Sequence, residues 1–273
     1  MDPQASRRLA PAAAVDYAGI PRVDVLGVGV SAVDMDRAVA EIASWVERRE
    51  RHYVCVTGVH GVMESLRDAE LRRIHNDSGL TTPDGMPMVW AGRRSGAAHM
   101  RRVYGPDLML ALCERAQERG WSSFFHGGAP GVADQLAERL VERFPGLKVA
   151  GTSSPPFRAP TPAEDAATVA SIEDAAPDLV WVGLGTPKQE RWMAAHTGRL
   201  SAPVLLGVGA AFNIHAGLLP QAPRWMQRSG LEWLYRLSRE PRLAGRYLRN
   251  NPRFLLEILR QPPRLRPMES PDD

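Results

Sequence analysis

Between residues 22 and 208, short apolar runs alternate with amphipathic stretches. Residues 22–30 are rich in Val and read as a strand. In residues 34–49, Ala38, Ile42, Trp45 and Val46 fall at helical spacing and predict a helix with one apolar stripe. Residues 52–57 read as a strand, and a helix is predicted from Gly61 to about Leu71. Thr82-Pro83-Asp84-Gly85 reads as a loop or tight turn. Pro106 suits the first position of a helix that Gly120 ends. Beyond it come a strand at 122–126, the turn Gly127-Gly128-Ala129-Pro130-Gly131 and a helix to Phe144. A strand at 147–151, a helix at 162–175 and a strand at 178–184 follow. Gly185-Thr186-Pro187 opens another helix, and 203–208 is the last clear strand. This alternation predicts an α/β fold built on a mostly parallel sheet covered by helices.

After Pro220 the strand signals stop, and short helices are expected, broken at Pro241, Pro252 and Pro262. The predicted organisation is a flexible tail at 1–20, an α/β domain at 21–220, a helical appendage at 221–261 and a disordered tail at 262–273. No internal repeat is visible. Charge sharpens this division. Residues 221–266 hold eleven Arg, no Lys and three Glu, whereas the net charge of the whole chain is +3. Trp225, Trp233, Tyr235, Tyr247 and Phe254 are interleaved with those arginines. Arg grips phosphate as a planar fork, and Trp and Tyr favour half-wet interfaces. Such an end suggests phosphate, nucleic acid or an anionic membrane surface as its partner.

At 44% hydrophobic, a chain of 273 residues can build a full core. Cys55 and Cys113 share no metal spacing and are expected to be reduced core residues of a cytoplasmic protein. The first residues lack the apolar region of a signal peptide, and no apolar run nears the roughly 20 residues of a membrane span. Any membrane contact is therefore expected to be peripheral.

Four segments suit the carboxyl ends of parallel strands, where ligands bind. They are Thr57-Gly58-Val59-His60, Thr82-Pro83-Asp84-Gly85, His126-Gly127-Gly128, and the run from Gly183 to Gln189. Glycine allows close backbone approach and a helix N-terminus attracts phosphate, so a nucleotide diphosphate is the natural ligand. Each such turn also connects ordinary β-α units. For Asp84 between Pro83 and Gly85, spacing alone favours a plain turn over the functional alternative, a loop carboxylate acting as general base. Asp34-Met35-Asp36 resembles a metal motif of sugar-nucleotide enzymes, but the two acids are better explained as a helix start, one as N-cap and one in the first turn. No phosphate-loop motif ending in Gly-Lys-Ser/Thr, third dinucleotide glycine, zinc spacing or nucleophile elbow is present. Arg242, Arg246 and Arg249 fall on one face of a predicted helix, where mutual repulsion favours a standing anion. Arg101 and Arg102 form another basic pair before a helix start.

The segments TTPDGMPMVW, RRVYGPDLM, FFHGGAPGVAD, GLGTPKQERW, GVGAAFNIHAG and APRWMQRSGLEWLYRLSREP, with PPF at 155–157, resemble the bacterial TagA/WecG/CpsF glycosyltransferase family. The resemblance spans about residues 22 to 260. It implies a Rossmann-like fold and an inverting, metal-independent transferase without a cofactor. The donor would be a UDP-sugar, N-acetylmannosamine foremost, with hexoses and uronic acids open. The acceptor would be a polyprenyl-diphosphate-linked sugar used for teichoic acid linkage units, common antigen or exopolysaccharide. Residues 21–220 would then be the catalytic domain, with Asp84 matching the family's proposed general base. Thr57, Arg102 and Gln189 match pocket positions, and the glycine turns at Gly127, Gly128 and Gly185 would approach the nucleotide. Arg236 and Arg246 match appendage arginines thought to reach the diphosphate. Asn213 stands where many members carry Asp, and Leu243 follows Arg242 where they carry a second Arg. The appendage would rest on the anionic inner face of the plasma membrane, with no nucleic acid partner, and self-association is compatible with the family. An oxidoreductase on a Rossmann-like sheet and a non-catalytic membrane or nucleic-acid adaptor are the rival readings.

Overall fold

The computed structural model describes residues 19–266. The tail expected at 1–20 lies outside the described residues up to 18, as does the one expected at 262–273 from 267 onward.

The chain opens with a hairpin, not the single strand expected at 22–30. Strand β1 (Arg22–Val25) turns at Leu26 and Gly27, both at positive φ, into the antiparallel β2 (Val28–Ser31). The Asp24 carboxylate accepts the Gly27 amide at 2.8 Å and fixes the turn. Helix α1 (Met35–Arg48) follows, and Asp34 is its N-cap, accepting the Arg37 amide at 2.9 Å. After β3 (His52–Thr57), the helix expected to run to Leu71 proves to be two, α2 (Val59–Arg67) and α3 (Ala69–Asp77). Asp68 ends the first and caps the second, accepting the Leu71 amide at 3.0 Å. Thr82 and Pro83 are not turn residues but the end of an unexpected strand, β4 (Leu80–Pro83). A further unexpected helix, α4 (Met86–Arg94), follows it.

From there the alternation runs as read. Helix α5 (Gly105–Arg119) leads to β5 (Ser122–Gly127), α6 (Val132–Arg143), β6 (Lys148–Ser153) and α7 (Pro162–Ala175). Then come β7 (Leu179–Gly183), α8 (Lys188–His196), β8 (Val204–Gly207) and the short α9 (Ala211–His215). Strands β3 to β8 form one parallel sheet in the order β4-β3-β8-β7-β5-β6, the α/β architecture expected.

Successive side chains of a strand point to opposite faces, so a sheet covered on both sides needs apolar residues at every position. Val54, Phe125, Leu179, Trp181, Val204 and Leu206 face a core completed by α1, α5, α6 and α9. Tyr53, Cys55, Phe124, Val180, Val182 and Leu205 face a second core under α3, α7 and α8. Cys113 lies in the first core and Cys55 in the second, both free thiols. A third core joins the β1–β2 hairpin to α2 and α4.

The C-terminal segment folds as α10 (Arg224–Arg228), α11 (Glu232–Arg239), a 3-10 turn at Pro241–Leu243 and α12 (Ala244–Arg260). Pro252 does not break α12, although an interior Pro costs about 3 kcal/mol or more. Docking on either side of it holds the helix together. Asn250 accepts from Arg67 of α2 at 3.1 Å, and Phe254 enters the third core. Arg242 sits in the 3-10 turn and pairs with Glu240 at 2.7 Å, so it does not share a helix with Arg246 and Arg249 as expected. Within the segment expected as a tail from 262, β9 (Arg264–Leu265) pairs with β1 and completes a second sheet, β2-β1-β9. Arg266 then pairs with Asp24 at 3.0 Å.

Candidate active site

A parallel sheet aims the N-termini of its following helices at one edge. Here the carboxyl ends of β3, β4, β7 and β8 and the starts of α2, α4, α5, α8 and α9 surround a cleft of about 560 Å³. The appendage roofs it with α11, the 3-10 turn and α12. Thr57, Asp84, Arg102, Gly185, Gln189, Asn213, Arg236 and Arg246, picked out along 190 residues of sequence, all line this one cleft.

Gly127 and Gly128 do not. Strand β5 lies beyond β7 in the sheet order, so its end opens on the other flank. Gly127 has φ of +136°, and a Cβ there would stand 2.6 Å from the Gly183 carbonyl carbon. Its glycine serves the close approach of two strand ends, with the Gly128 amide donating to the Gly183 carbonyl at 3.1 Å.

Asp84 sits directly after β4, its amide donating to the Thr57 carbonyl at 3.1 Å. The residue is enclosed by protein, and the third of its side chain that remains exposed faces the cleft. Burial raises its pKa above the ordinary Asp value. The nearby Glu232 pushes the same way, whereas Arg102, Arg236 and the Gly105 N–H oppose it. Its Oδ1 is buried without a hydrogen-bond partner. The geometry therefore favours a carboxylate able to take a proton over a plain turn residue.

Arg102 approaches the floor along two directions. Its Nε donates to the Asp84 main-chain oxygen, and its Nη2 donates to Glu232 Oε2 at 2.5 Å. The guanidinium also lies 4.0 Å above the Tyr104 ring. Gln189 is fixed from both ends of its amide, accepting from the Gly185 amide at 3.2 Å and donating to the buried Glu190 at 3.1 Å. Glu190 also accepts from Thr186 Oγ1 at 2.8 Å, which ties the β7–α8 loop to the start of its helix. Arg236 and Arg246 both line the cleft, and their Nε groups are buried with no hydrogen-bond partner. His60, on the opposite wall, has its pKa pushed down to about 4 by burial and by Arg246, so its ring is neutral near pH 7.

Sequence reasoning missed Glu232 and Tyr104 as parts of this site and Glu190 as the partner that holds Gln189, whereas His60 fell within one of the four segments expected at the strand ends. Glu232 had a signal, being one of three acids in an arginine-rich stretch. Glu190 stands beside Gln189 but reads as an exposed acid of a helix first turn. Among the described residues, no group of three or more His, Cys, Asp or Glu side chains is placed to hold a metal ion. No described helix is long and apolar enough to cross a membrane.

A cleft at the carboxyl edge of a parallel sheet, with a carboxylate in its floor and arginines in its roof, suits group transfer from a phosphorylated donor. The chain belongs to the glycosyl transferase WecG/TagA/CpsF family, whose model matches residues 23–268. It is similar to the N-acetylglucosaminyldiphosphoundecaprenol N-acetyl-beta-D-mannosaminyltransferase of Bacillus spizizenii, with 27% identity over 83% of this chain and 89% of that protein. The Bacillus subtilis strain 168 enzyme of the same name is 26% identical over 81% of this chain and 88% of its own. The one from Staphylococcus aureus strain MRSA252 is 26% identical over 87% and 92% respectively.

Proposed function

We propose that this protein transfers N-acetylmannosamine from a UDP-sugar to an N-acetylglucosamine carried on a polyprenyl diphosphate, with inversion and without a metal. The observation that carries this reading is the meeting of Asp84 with Arg102, Arg236 and Arg246 in one cleft. The relatives named above act on such an acceptor. In this reaction Asp84 takes the proton of the acceptor hydroxyl as its oxygen bonds to the anomeric carbon. The bond from that carbon to the donor phosphate breaks, and UDP leaves with the electron pair. Attack from the face opposite the leaving group inverts the anomeric configuration. Arg236, Arg246 and the surrounding helix N-termini would supply the positive charge that a departing diphosphate needs. Thr57 and Gln189, the latter fixed by Gly185 and Glu190, would orient the donor.

The appendage would also meet a membrane. Leu248, Leu255, Leu256 and Leu259 of α12 and Trp225 of α10 are exposed among arginines, a pattern suited to an anionic surface. This supports a place on the inner face of the plasma membrane, where a polyprenyl-linked acceptor is presented. A panel of UDP-sugars tested with a short-chain polyprenyl-diphosphate N-acetylglucosamine, read by UDP release, tests the reading. Acceptor-dependent release with UDP-N-acetylmannosamine is expected. Release with none of the donors would overturn it.

A further inference from the structure

Glu232 has no task in the reaction just described, yet it stands in the cleft. It opens α11, and its side chain is 14% exposed. Arg102 Nη2 reaches its Oε2 at 2.5 Å, while the same nitrogen stays 4.0 Å from Asp84 Oδ1. The second distance is beyond a hydrogen bond. Arg102 is also held by the Asp84 main-chain oxygen and the Tyr104 ring, so Nη2 is the part that chooses between the two carboxylates. It chooses the one from the appendage, and Asp84 Oδ1 keeps only the longer 4.0 Å ion-pair contact, without a hydrogen bond.

The alternative pairing is close at hand. A small rotation of the guanidinium would place Nη2 on Asp84 in a charge-assisted contact. That contact would stabilise the ionised form and make the carboxylate a weaker base. We propose that Glu232 is a positioning residue for the base: it draws Arg102 off Asp84, and because it belongs to the appendage, the base is freed only when the appendage is docked. The proposal rests on the reading of Asp84 as general base. The charged groups facing Asp84 are Arg102, Glu232 and Arg236, with Tyr104 and the Gly105 N–H alongside. Losing the Glu232 charge removes a repulsion and releases an attraction, and both changes lower the proton affinity of Asp84.

The test uses full-length Glu232→Gln and Glu232→Asp proteins and the pH dependence of kcat/KM for UDP release from a short-chain acceptor. The acid limb of Glu232→Gln is expected to move to lower pH by about one unit or more, with kcat at neutral pH down by about tenfold. Glu232→Asp, which restores the charge, is expected to return the limb toward the native position. A raised KM with an unmoved acid limb would overturn the proposal and leave Glu232 a simple fastener of the appendage. Should Glu232→Gln be inactive, the Asp84 carboxyl is titrated directly by carbon-13 NMR, its signal assigned by loss in Asp84→Asn. An Asp84 midpoint equal to that of the native protein would likewise overturn it. Full turnover by Asp84→Asn is a separate outcome, which removes the base reading itself.

Discussion

Replacing Asp84 with Asn separates the chemistry of the cleft from its architecture. The main-chain contacts of Asp84, to Thr57 through its amide and to Arg102 through its carbonyl, survive the change. Its Oδ1 makes no hydrogen bond that could be lost, and the principal partner of Arg102 is Glu232. Removing the charge also relieves repulsion with Glu232 and the cost of burying a carboxylate. The variant is therefore expected to melt at or slightly above the temperature of the native protein. Catalysis should respond quite differently, because an amide cannot take the acceptor proton. Loss of a general base typically slows turnover about 10²–10⁴-fold, equivalent to about 2.7–5.4 kcal/mol of barrier. UDP binding should change by no more than a few-fold, since the arginines remain. In the native protein the activity is expected to require ionised Asp84 and to fall as pH drops through its pKa, which burial places above the ordinary Asp value. Thermal melts, UDP titration and UDP release at saturating substrates measure the three quantities. Turnover by Asp84→Asn within about threefold of native would refute the reasoning and return this residue to the role of a turn.

Arg236→Ala and Arg246→Ala are each expected to lower turnover of a soluble acceptor by about 10²-fold, as loss of one oxyanion donor does elsewhere, with smaller effects on KM. Native rates in both variants would confine the appendage to anchoring. Activity is expected to persist in excess EDTA, because the arginines supply the countercharge; complete loss restored by manganese or magnesium would contradict this. Acid should destabilise the fold through His126, whose pKa burial pushes down to about 4. The unfolded chain then binds more protons between pH 4 and 6.5, so stability is full above that window and falls as pH is lowered through it. The loss from this group reaches on the order of 2 kcal/mol by pH 5, to be read by urea unfolding at several pH values. A His126→Gln protein with the native pH slope would show the source to be elsewhere.

Much of the fold is legible in the sequence because its strands are buried on both faces. Runs such as Leu179–Gly183 have no polar position to blur them, and each is bounded by a helix with its own period. Strand β4 was illegible for the opposite reason. Leu-Thr-Thr-Pro carries two threonines and a proline, yet it lies at the sheet edge, where a Pro at the last position is tolerated. The Thr81 hydroxyl is absorbed by the His75 carbonyl at 2.8 Å and by Ser78 at 2.9 Å. The first hairpin was hidden because a Leu, not an Asn or Asp, takes the first left-handed position of its turn. Local patterns also cannot give strand order. That is why Gly127-Gly128 read as a ligand turn, although β7 separates it from the cleft. The cleft residues themselves were found by family resemblance, with spacing alone favouring a turn at Asp84. Charge summation concealed Glu232, which enters an arginine-rich total only as a subtraction.

The arginine excess that marks the C-terminal segment therefore divides into two physical populations. Arg236 and Arg246 have buried Nε groups inside the cleft, whereas Arg239, Arg249, Arg253 and Arg260 face outward with the exposed leucines. A buried guanidinium donor without an acceptor is costly, on the order of 1–3 kcal/mol or more for each such group. The docked appendage bears that cost, and it is held down by contacts elsewhere. Phe254 enters the hairpin core, Asn250 meets Arg67, β9 pairs with β1, and Arg224 reaches Asp107 at 2.8 Å. If a diphosphate binds between Arg236 and Arg246, as proposed above, it can do so only in the docked arrangement. Donor binding and appendage docking are then linked, and each strengthens the other by the same factor. An appendage that also rests on a membrane brings that linkage to the surface where the lipid-linked acceptor lies. On the proposed reading, the same helices would answer to the nucleotide through Arg236 and Arg246 and to the membrane through their exposed leucines, without one contact displacing the other.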